Sequence, residues 1–282
     1  IHYMKVNQVC AVVTTFNPEA SFPKTLEILL AQVGMIVVVD DSGCSHSKVD
    51  ENSFIGCKNI CYIKNKRNVG IAASLNKGIE YAKSIGFDFI ITLDDDSTLG
   101  DNYVSTLFEF LTGNKNALLA IGVNDNLIVN SRPIVKRAVI TSGSLFSYNT
   151  FKSVGGFKEE LFIDYVDFDF CLRLRLKNIG EIYSVPDALF EHQIGESSNI
   201  GKKFFYFNSY NHSSFRIYYQ TRNAIYMLRK YFYNYPLYSM YIGRNVLILP
   251  LKVLLLDTNK LPKISYYFKG LMDGVLGRWG RI

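Results

Sequence analysis

What the chain lacks narrows it first. Nowhere in its 282 residues is there a G-x-x-x-x-G-K-[ST] phosphate loop, and no G-x-G-x-x-G turn follows the first apolar run. Neither P-loop phosphate chemistry nor a dinucleotide-binding turn is therefore expected. The glycine-rich opening of a sugar-1-phosphate nucleotidyltransferase is missing as well. Five cysteines (Cys10, Cys44, Cys57, Cys61 and Cys171) form an odd, scattered set, and Cys57 with Cys61 has no second pair to complete a zinc site. Reduced thiols in a cytosolic protein are the expectation. No positively charged segment followed by an apolar run and a cleavage site opens the sequence, so a secretory signal is not expected. The longest charge-free aromatic stretch, Tyr231 to Gly243, has 13 residues and is followed by Arg244. That falls short of the roughly 18 residues a membrane-spanning helix needs.

Acidic residues are scarce toward the C-terminal end, where basic ones are not. Residues 200 to 282 hold 13 Lys/Arg against 2 Asp/Glu, a charge of +11, while residues 1 to 199 carry −5 within a total of +6. The same region carries 19 of the 40 Phe, Tyr and Trp, in runs such as Phe204-Phe205-Tyr206-Phe207 and Tyr231-Phe232-Tyr233. A basic, aromatic segment without a full span suits a surface resting on anionic lipid, with Lys and Arg at headgroups and rings at the interface. A helical subdomain with a solvated basic face is the plainer alternative. A nucleic-acid patch is the least favoured.

What is present organises the first half. The chain is 48% apolar, enough for a substantial core. Val9 to Thr15 reads as a strand, Pro23 to Gln32 as a helix with proline near its start, and Met35 to Val39 as a buried strand. Ile60 to Lys64 follows as strand, Ile71 to Ser84 as helix and Phe87 to Leu93 as strand. Such alternation predicts an α/β fold with a mostly parallel sheet flanked by helices, where ligands bind beyond the carboxyl ends of the strands. Beyond Gly100 a helix is expected over Tyr103 to Leu111, strands near Leu118 to Val123 and Val139 to Phe146, and a helix from about Tyr165 to Leu176. Helical segments follow Asn199, with Pro236, Pro250 and Pro262 as boundaries. The expected division is a catalytic domain over residues 1–200 and a helical, membrane-associating region over 201–282.

Polar residues fall at the expected strand ends: Thr14-Thr15-Phe16-Asn17-Pro18, Asp40-Asp41-Ser42-Gly43, Lys66-Arg67-Asn68-Val69-Gly70 and Asp94-Asp95-Asp96-Ser97. One such end could be a helix cap; four in succession are harder to explain that way. Along a continuing strand, Asp94 and Asp96 would share a face and Asp95 would point away. Two hard carboxylates suit Mg²⁺ or Mn²⁺, which keeps several waters and shares its other positions with substrate phosphates. A second acidic group stands at Asp164, Asp167 and Asp169. If helix begins near Asp164, then Asp164 and Asp167 lie close to one face at its positive end, where a carboxylate beside a substrate hydroxyl can act as a general base. The plain alternative is acids that merely favour a helix N-terminus. His192, after a short apolar run, reads by itself as a structural histidine.

Taken together, Val12-Val13-Thr14-Thr15-Phe16-Asn17, Asp40-Asp41-Ser42-Gly43, Asn68-x-Gly70-Ile71-Ala72-x-x-x-Asn76-x-Gly78, Asp94-x-Asp96, Gly155-Gly156-Phe157 and Asp167-x-Asp169-x-x-x-Arg173 resemble the family 2 glycosyltransferases of GT-A fold, in particular the bacterial rhamnosyltransferase branch. The match runs from residue 9 to about 230, with the motifs in order. The resemblance implies a Rossmann-like GT-A domain and metal-dependent, inverting transfer of L-rhamnose from dTDP-rhamnose to a polyprenyl-diphosphate-linked oligosaccharide of O-antigen or capsule. A UDP-sugar donor (glucose, galactose or galactofuranose) or a non-catalytic nucleotide-sugar-binding protein are the alternatives. It implies that Thr15, Asp40 and Asp41 line the base and ribose, and that Arg67, Asn68 and Gly70 lie along the nucleotide and diphosphate. Asp96 becomes the principal ligand of Mg²⁺ or Mn²⁺ with His192 at metal or diphosphate, Asp94 lies near the ribose or in the metal's outer sphere with Asp95 beside it, and Asp167 is the base. Ser142-Gly143 would shape the sugar or acceptor pocket, and Arg222-Asn223 recurs in that branch. Many relatives have Glu-Asp where this chain has Val166-Asp167, so Asp164 could compensate. The implied place is the cytoplasm, peripheral on the inner face of the bacterial cytoplasmic membrane, without nucleic-acid partners; a homo-oligomer is left open.

Overall fold

A computed structural model describes residues 7–18, 22–43, 54, 57–124, 132–192 and 211–282. The expected boundary at residue 200 and the Phe204–Phe207 run lie outside the described residues. Two compact units are formed, one of residues 1–159 and 167–193, the other of residues 160–166 and 194–282.

The first unit is built on a mixed sheet. β1 (Val9–Thr15), β2 (Met35–Asp40), β3 (Ile60–Lys64) and β4 (Phe89–Asp94) lie parallel in the order β3-β2-β1-β4. The sheet continues through β8 (Ser144–Ser147), β6 (Ala117–Asn124), β9 (Glu181–His192) and β5 (Ser97–Leu99), with β7 (Ile134–Lys136) on β9. β8 runs antiparallel to β4 and β6, and β9 parallel to β6. Every residue of β1 is buried, as a strand covered on both faces requires. The helices α1 (Phe22–Leu30), α2 (Ile71–Ser84), α3 (Tyr103–Gly113), α4 (Tyr148–Ser153) and α5 (Val166–Lys177) complete this unit, although Val166 itself is counted with the second. α2 sits close on the sheet because position 78 is glycine. A Cβ there would meet Val12 Cγ1 at 2.5 Å and Val39 Cγ2 at 3.0 Å.

The second unit packs α6 (Ser214–Tyr231), α7 (Pro236–Leu256) and α8 (Lys260–Leu276). Gly270 and Gly274 let α8 lie directly on α6: Cβ atoms there would stand 2.5 Å from the Tyr218 carbonyl oxygen and 3.0 Å from that of Arg222. Tyr218 donates to Asp273 at 2.9 Å, and Lys263 pairs with Asp257 at 2.7 Å inside the unit. Pro236 opens α7 as anticipated, but Pro250 lies within it rather than at its end. The carbonyl that Pro250 cannot bond is that of Val246, four residues back. The Tyr267 hydroxyl bonds it at 3.1 Å, which is how the helix runs through. α7 is long and apolar enough to cross a bilayer, with mean hydropathy 1.4 and 22% of its most apolar window buried.

Candidate active site

The carboxyl ends of β2, β1 and β4 come level. Register pairs Thr15 with Asp40 and Thr14 with Asp94, so the polar ends of three strands meet in one row. Their roles divide by burial. Asp40 is wholly buried, its carboxylate bonded to the Ser42 amide at 2.8 Å, to the Ser42 hydroxyl and to the Tyr62 hydroxyl. These bonds hold the turn after β2. Asp41, 6% exposed, accepts from Val69 N and Gly70 N at 2.8 Å each and from Asn65 Nδ2 at 2.9 Å. It fastens the loop that carries Arg67 and Asn68 to the end of β2. Gly70, at φ 92, leads into α2, and Asn68 Oδ1 accepts from its amide at 3.1 Å. Arg67 itself is exposed, and Gly43, at φ 79, lies against its backbone, where a Cβ would stand 3.6 Å from Arg67 Cα.

The acidic cluster does not extend as a strand. β4 ends at Asp94, and Asp95 and Asp96 form the turn into β5, so the alternation that would have set Asp95 apart stops one residue too early. Asp95 instead accepts from the Thr15 hydroxyl at 2.5 Å. Burial raises the Asp95 carboxyl above the ordinary range, Thr15 opposes the shift, and the Asp96 charge adds to it. Asp94 is half-buried and Asp96 exposed. The Ser142 hydroxyl bonds the Asp94 amide at 3.0 Å and the Ser97 hydroxyl at 2.6 Å, fixing the turn from beneath. β5 pairs antiparallel with β9, which brings His192 opposite Ser97, next in sequence to Asp96. The His192 side chain lies outside what the structure describes. Among the described residues no group of three His, Cys, Asp or Glu side chains closes on one point. Two hard carboxylates beside open space nevertheless fit an ion that keeps most of its waters and takes phosphate oxygens, which is the chemistry of Mg²⁺ and Mn²⁺. A largely apolar pocket lined by Val13, Phe22, Leu26, Leu29 and Leu99 opens beside Asp94 and Asp95.

The second acidic group also separates. α5 begins at Val166, so Asp164 precedes the helix and shares no helical face with Asp167; it has φ 61 and bonds Arg216 at 3.2 Å. Asp169 is wholly buried in an ion pair with Arg173 at 2.7 Å, and Arg173 also bonds the Val154 carbonyl at 2.6 Å. Asp167 stays half-exposed on the first turn, with its Oδ1 accepting from the Phe168 amide at 2.8 Å. Within that helix it is the acid left at a solvent-accessible position.

One residue quoted only as part of a motif turns out to join the pieces. Asn76, on α2, bonds Phe157 on both backbone groups, Nδ2 to its carbonyl and Oδ1 from its amide, each at 2.9 Å. Gly156, at φ 71, makes that approach available, since a Cβ there would lie 3.0 Å from Asn76 Oδ1 and 2.9 Å from the Phe151 ring. The Asn-x-Gly and Gly-Gly-Phe motifs were the signal in the sequence, but their pairing needed the fold.

Comparison with known proteins agrees with this geometry. Residues 10–171 match the model of the family described as glycosyl transferase family 2. The dTDP-rhamnosyl transferase RfbF of Shigella flexneri is 30% identical over 97% of both chains. The galactofuranosyltransferase GlfT1 of Mycobacterium tuberculosis is 33% identical over 98 residues, about a third of each chain. Among solved structures, GalNAc-T7 with UDP, GalNAc and Mn²⁺ superimposes with a TM-score of 0.55 at 14% identity, over 65% of this chain and 43% of that one. S. aureus TarS 1–349 gives 0.50 at 13% identity, over 96% and 72%. The sheet of this chain is that of the GT-A enzymes, and the chain belongs to glycosyl transferase family 2.

Proposed function

We propose that the protein transfers L-rhamnose from dTDP-rhamnose, with inversion, onto a hydroxyl of a lipid-linked oligosaccharide at the inner face of the bacterial cytoplasmic membrane, in O-antigen or capsule synthesis. The observation that carries the donor is the end-to-end relationship to the Shigella dTDP-rhamnosyl transferase, 97% of each chain at 30% identity. The similarity to a galactofuranosyltransferase covers about a third of the chain and keeps a UDP-sugar as the second reading.

In this mechanism the acceptor oxygen attacks the anomeric carbon from the face opposite the diphosphate. The new C–O bond forms as the bond to the diphosphate breaks, and Asp167 accepts the acceptor's proton. Asp96, with His192 and with Asp94 in its outer sphere, would hold Mg²⁺ or Mn²⁺, and a bound cation offsets the charge that collects on the leaving diphosphate. Thr15 orients the half-buried Asp95 beside that site, and Asp41 sets the loop on which Arg67 and Asn68 approach the nucleotide. Membrane attachment is supported by the basic charge of the C-terminal region and by exposed Leu237, Met240, Leu247 and Leu255 on α7 with Leu261 and Met272 on α8.

The test is product analysis. Purified protein with Mn²⁺, dTDP-L-rhamnose and a polyprenyl-diphosphate oligosaccharide should release dTDP and yield an acceptor extended by one rhamnose of inverted anomeric configuration. Turnover with UDP-galactofuranose or UDP-glucose and none with dTDP-rhamnose would replace the donor. A retained configuration would overturn the mechanism.

A further inference from the structure

Residues Glu160–Val166 lie in sequence between two stretches of the first unit but pack with the second. Within this strap Phe162, Asp164 and Tyr165 have φ of 65, 61 and 63, a left-handed course that L-residues with large side chains rarely adopt. Such a backbone persists only where its surroundings over-determine it. Two neighbouring residues of α6 supply that. Asn223 Nδ2 donates to the carbonyls of Leu161 at 2.8 Å, Ile163 at 2.7 Å and Asp164 at 3.0 Å. Arg222 Nη2 donates to those of Glu160 at 2.8 Å and Leu161 at 3.1 Å, while its Nε holds Asn223 Oδ1 at 3.0 Å. Its Nη1 bonds the Gly280 carbonyl, and its guanidinium lies over the Tyr219 ring at 4.7 Å. Both residues are wholly buried.

A buried guanidinium and amide are a costly way to fill the inner face of a helix that apolar side chains would fill as well. Their hydrogen bonds run to the strap, and Asp167 stands two residues after Tyr165, the strap's last left-handed position. We propose that Arg222 and Asn223 are positioning residues for glycosyl transfer: they hold Glu160–Val166 in its left-handed course and so fix how the chain enters α5 with Asp167 on its first turn. The inference rests on Asp167 being the base. It separates two functions within one active site, because the residues proposed for the donor stand on strand ends that the strap does not include.

The experiment is steady-state transfer by Asn223→Ala and Arg222→Ala, with Arg222→Lys alongside as a variant that keeps the charge but not the fork. Each is compared with wild type per folded molecule, the folded fraction being taken from thermal melts at the assay temperature. A displacement of about 1 Å at a reacting group costs on the order of a hundredfold. The expected result is a loss of kcat of tenfold or more, donor KM within twofold, an altered pH–kcat limb for the base, and partial recovery in Arg222→Lys relative to Arg222→Ala. A folded Asn223→Ala with kcat within twofold of wild type overturns the proposal, as does a loss that follows the unfolded fraction with kcat and KM moving together. Asp167→Asn separates the two readings. If it keeps turnover, the base assignment fails and this inference with it; if it is inactive while Asn223→Ala is normal, the inference alone fails.

Discussion

Replacing Asp41 by asparagine tests whether this carboxylate belongs to the fold or to the ligand. In the structure one oxygen accepts from Val69 N and Asn65 Nδ2 and the other from Gly70 N, all at 2.8 to 2.9 Å, at a site 6% exposed. Asparagine keeps one acceptor and turns an NH₂ toward the remaining donor. Losing one charge-assisted bond costs about 1.5–3 kcal/mol, and a donor left facing a donor about 1–3 kcal/mol more. Asn68 Oδ1, 3.1 Å from Gly70 N, offsets part of this. A net loss of about 3 kcal/mol follows, and at about 2–4 °C per kcal/mol for a domain of this size the melting point falls by roughly 6–12 °C. The assay is a thermal and urea melt of wild type and Asp41→Asn without nucleotide, followed by donor titration of the folded variant. An unchanged melt together with abolished donor binding would refute the reasoning and return Asp41 to the nucleotide.

Asp96→Ala should weaken Mn²⁺-dependent donor binding by more than tenfold while leaving metal-free affinity unchanged, read by calorimetry with and without chelator; equal affinity in both conditions removes the ion from Asp96. His212 is held below its ordinary 6.5, first by burial and then by Arg216, with Asp164 and Asp257 opposing and Lys263 assisting. The folded state therefore binds this proton less readily than the unfolded one, so stability is steady above about pH 6.5 and declines as pH falls below it. His212→Asn should flatten that decline, and melts between pH 5 and 8 that superimpose for the two proteins would rule it out. Burial pushes the Cys10 and Cys171 thiols up to about 12, while Cys57 is exposed. Iodoacetamide at pH 8 should modify Cys57 in the native protein and reach Cys10 and Cys171 only after unfolding; native labelling of Cys171 would contradict its burial.

The sheet was readable because its strands are short apolar runs separated by helices of a different period. The expected strands at Val9–Thr15 and Ile60–Lys64 and the helix at Ile71–Ser84 are those the structure contains. Three local features were not readable, each because a distant group decides it. Asp94 to Asp96 reads as strand by pattern, yet the Ser142 hydroxyl at the Asp94 amide and the Thr15 hydroxyl at Asp95 fasten a turn there. Pro250 reads as a stop, yet Tyr267 satisfies the Val246 carbonyl it frees. Asp164 reads as a helical residue, yet Arg222 and Asn223 bind the carbonyls around it and keep it out of the helix.

The same distinction governs the acids of the site. Asp40, Asp41, Asp94, Asp96, Asp167 and Asp169 are equivalent letters in a motif, but they sort by where their lone pairs can go. Asp40, Asp41 and Asp169 are buried and hold Tyr62, the Val69–Gly70 amides and Arg173. Their burial is tolerable because each carboxylate meets a donor inside the protein: Asp40 and Asp41 tie the end of β2 to later segments, and Asp169 pairs with Arg173 one turn on in the same helix. Asp94 and Asp167 are partly exposed and Asp96 is exposed. The buried acids thus build the frame, and the proposed metal and base roles fall on acids that keep some exposure. Substitution should accordingly lower stability in the first set, whereas in the second it should lower turnover or metal-dependent binding with the fold intact.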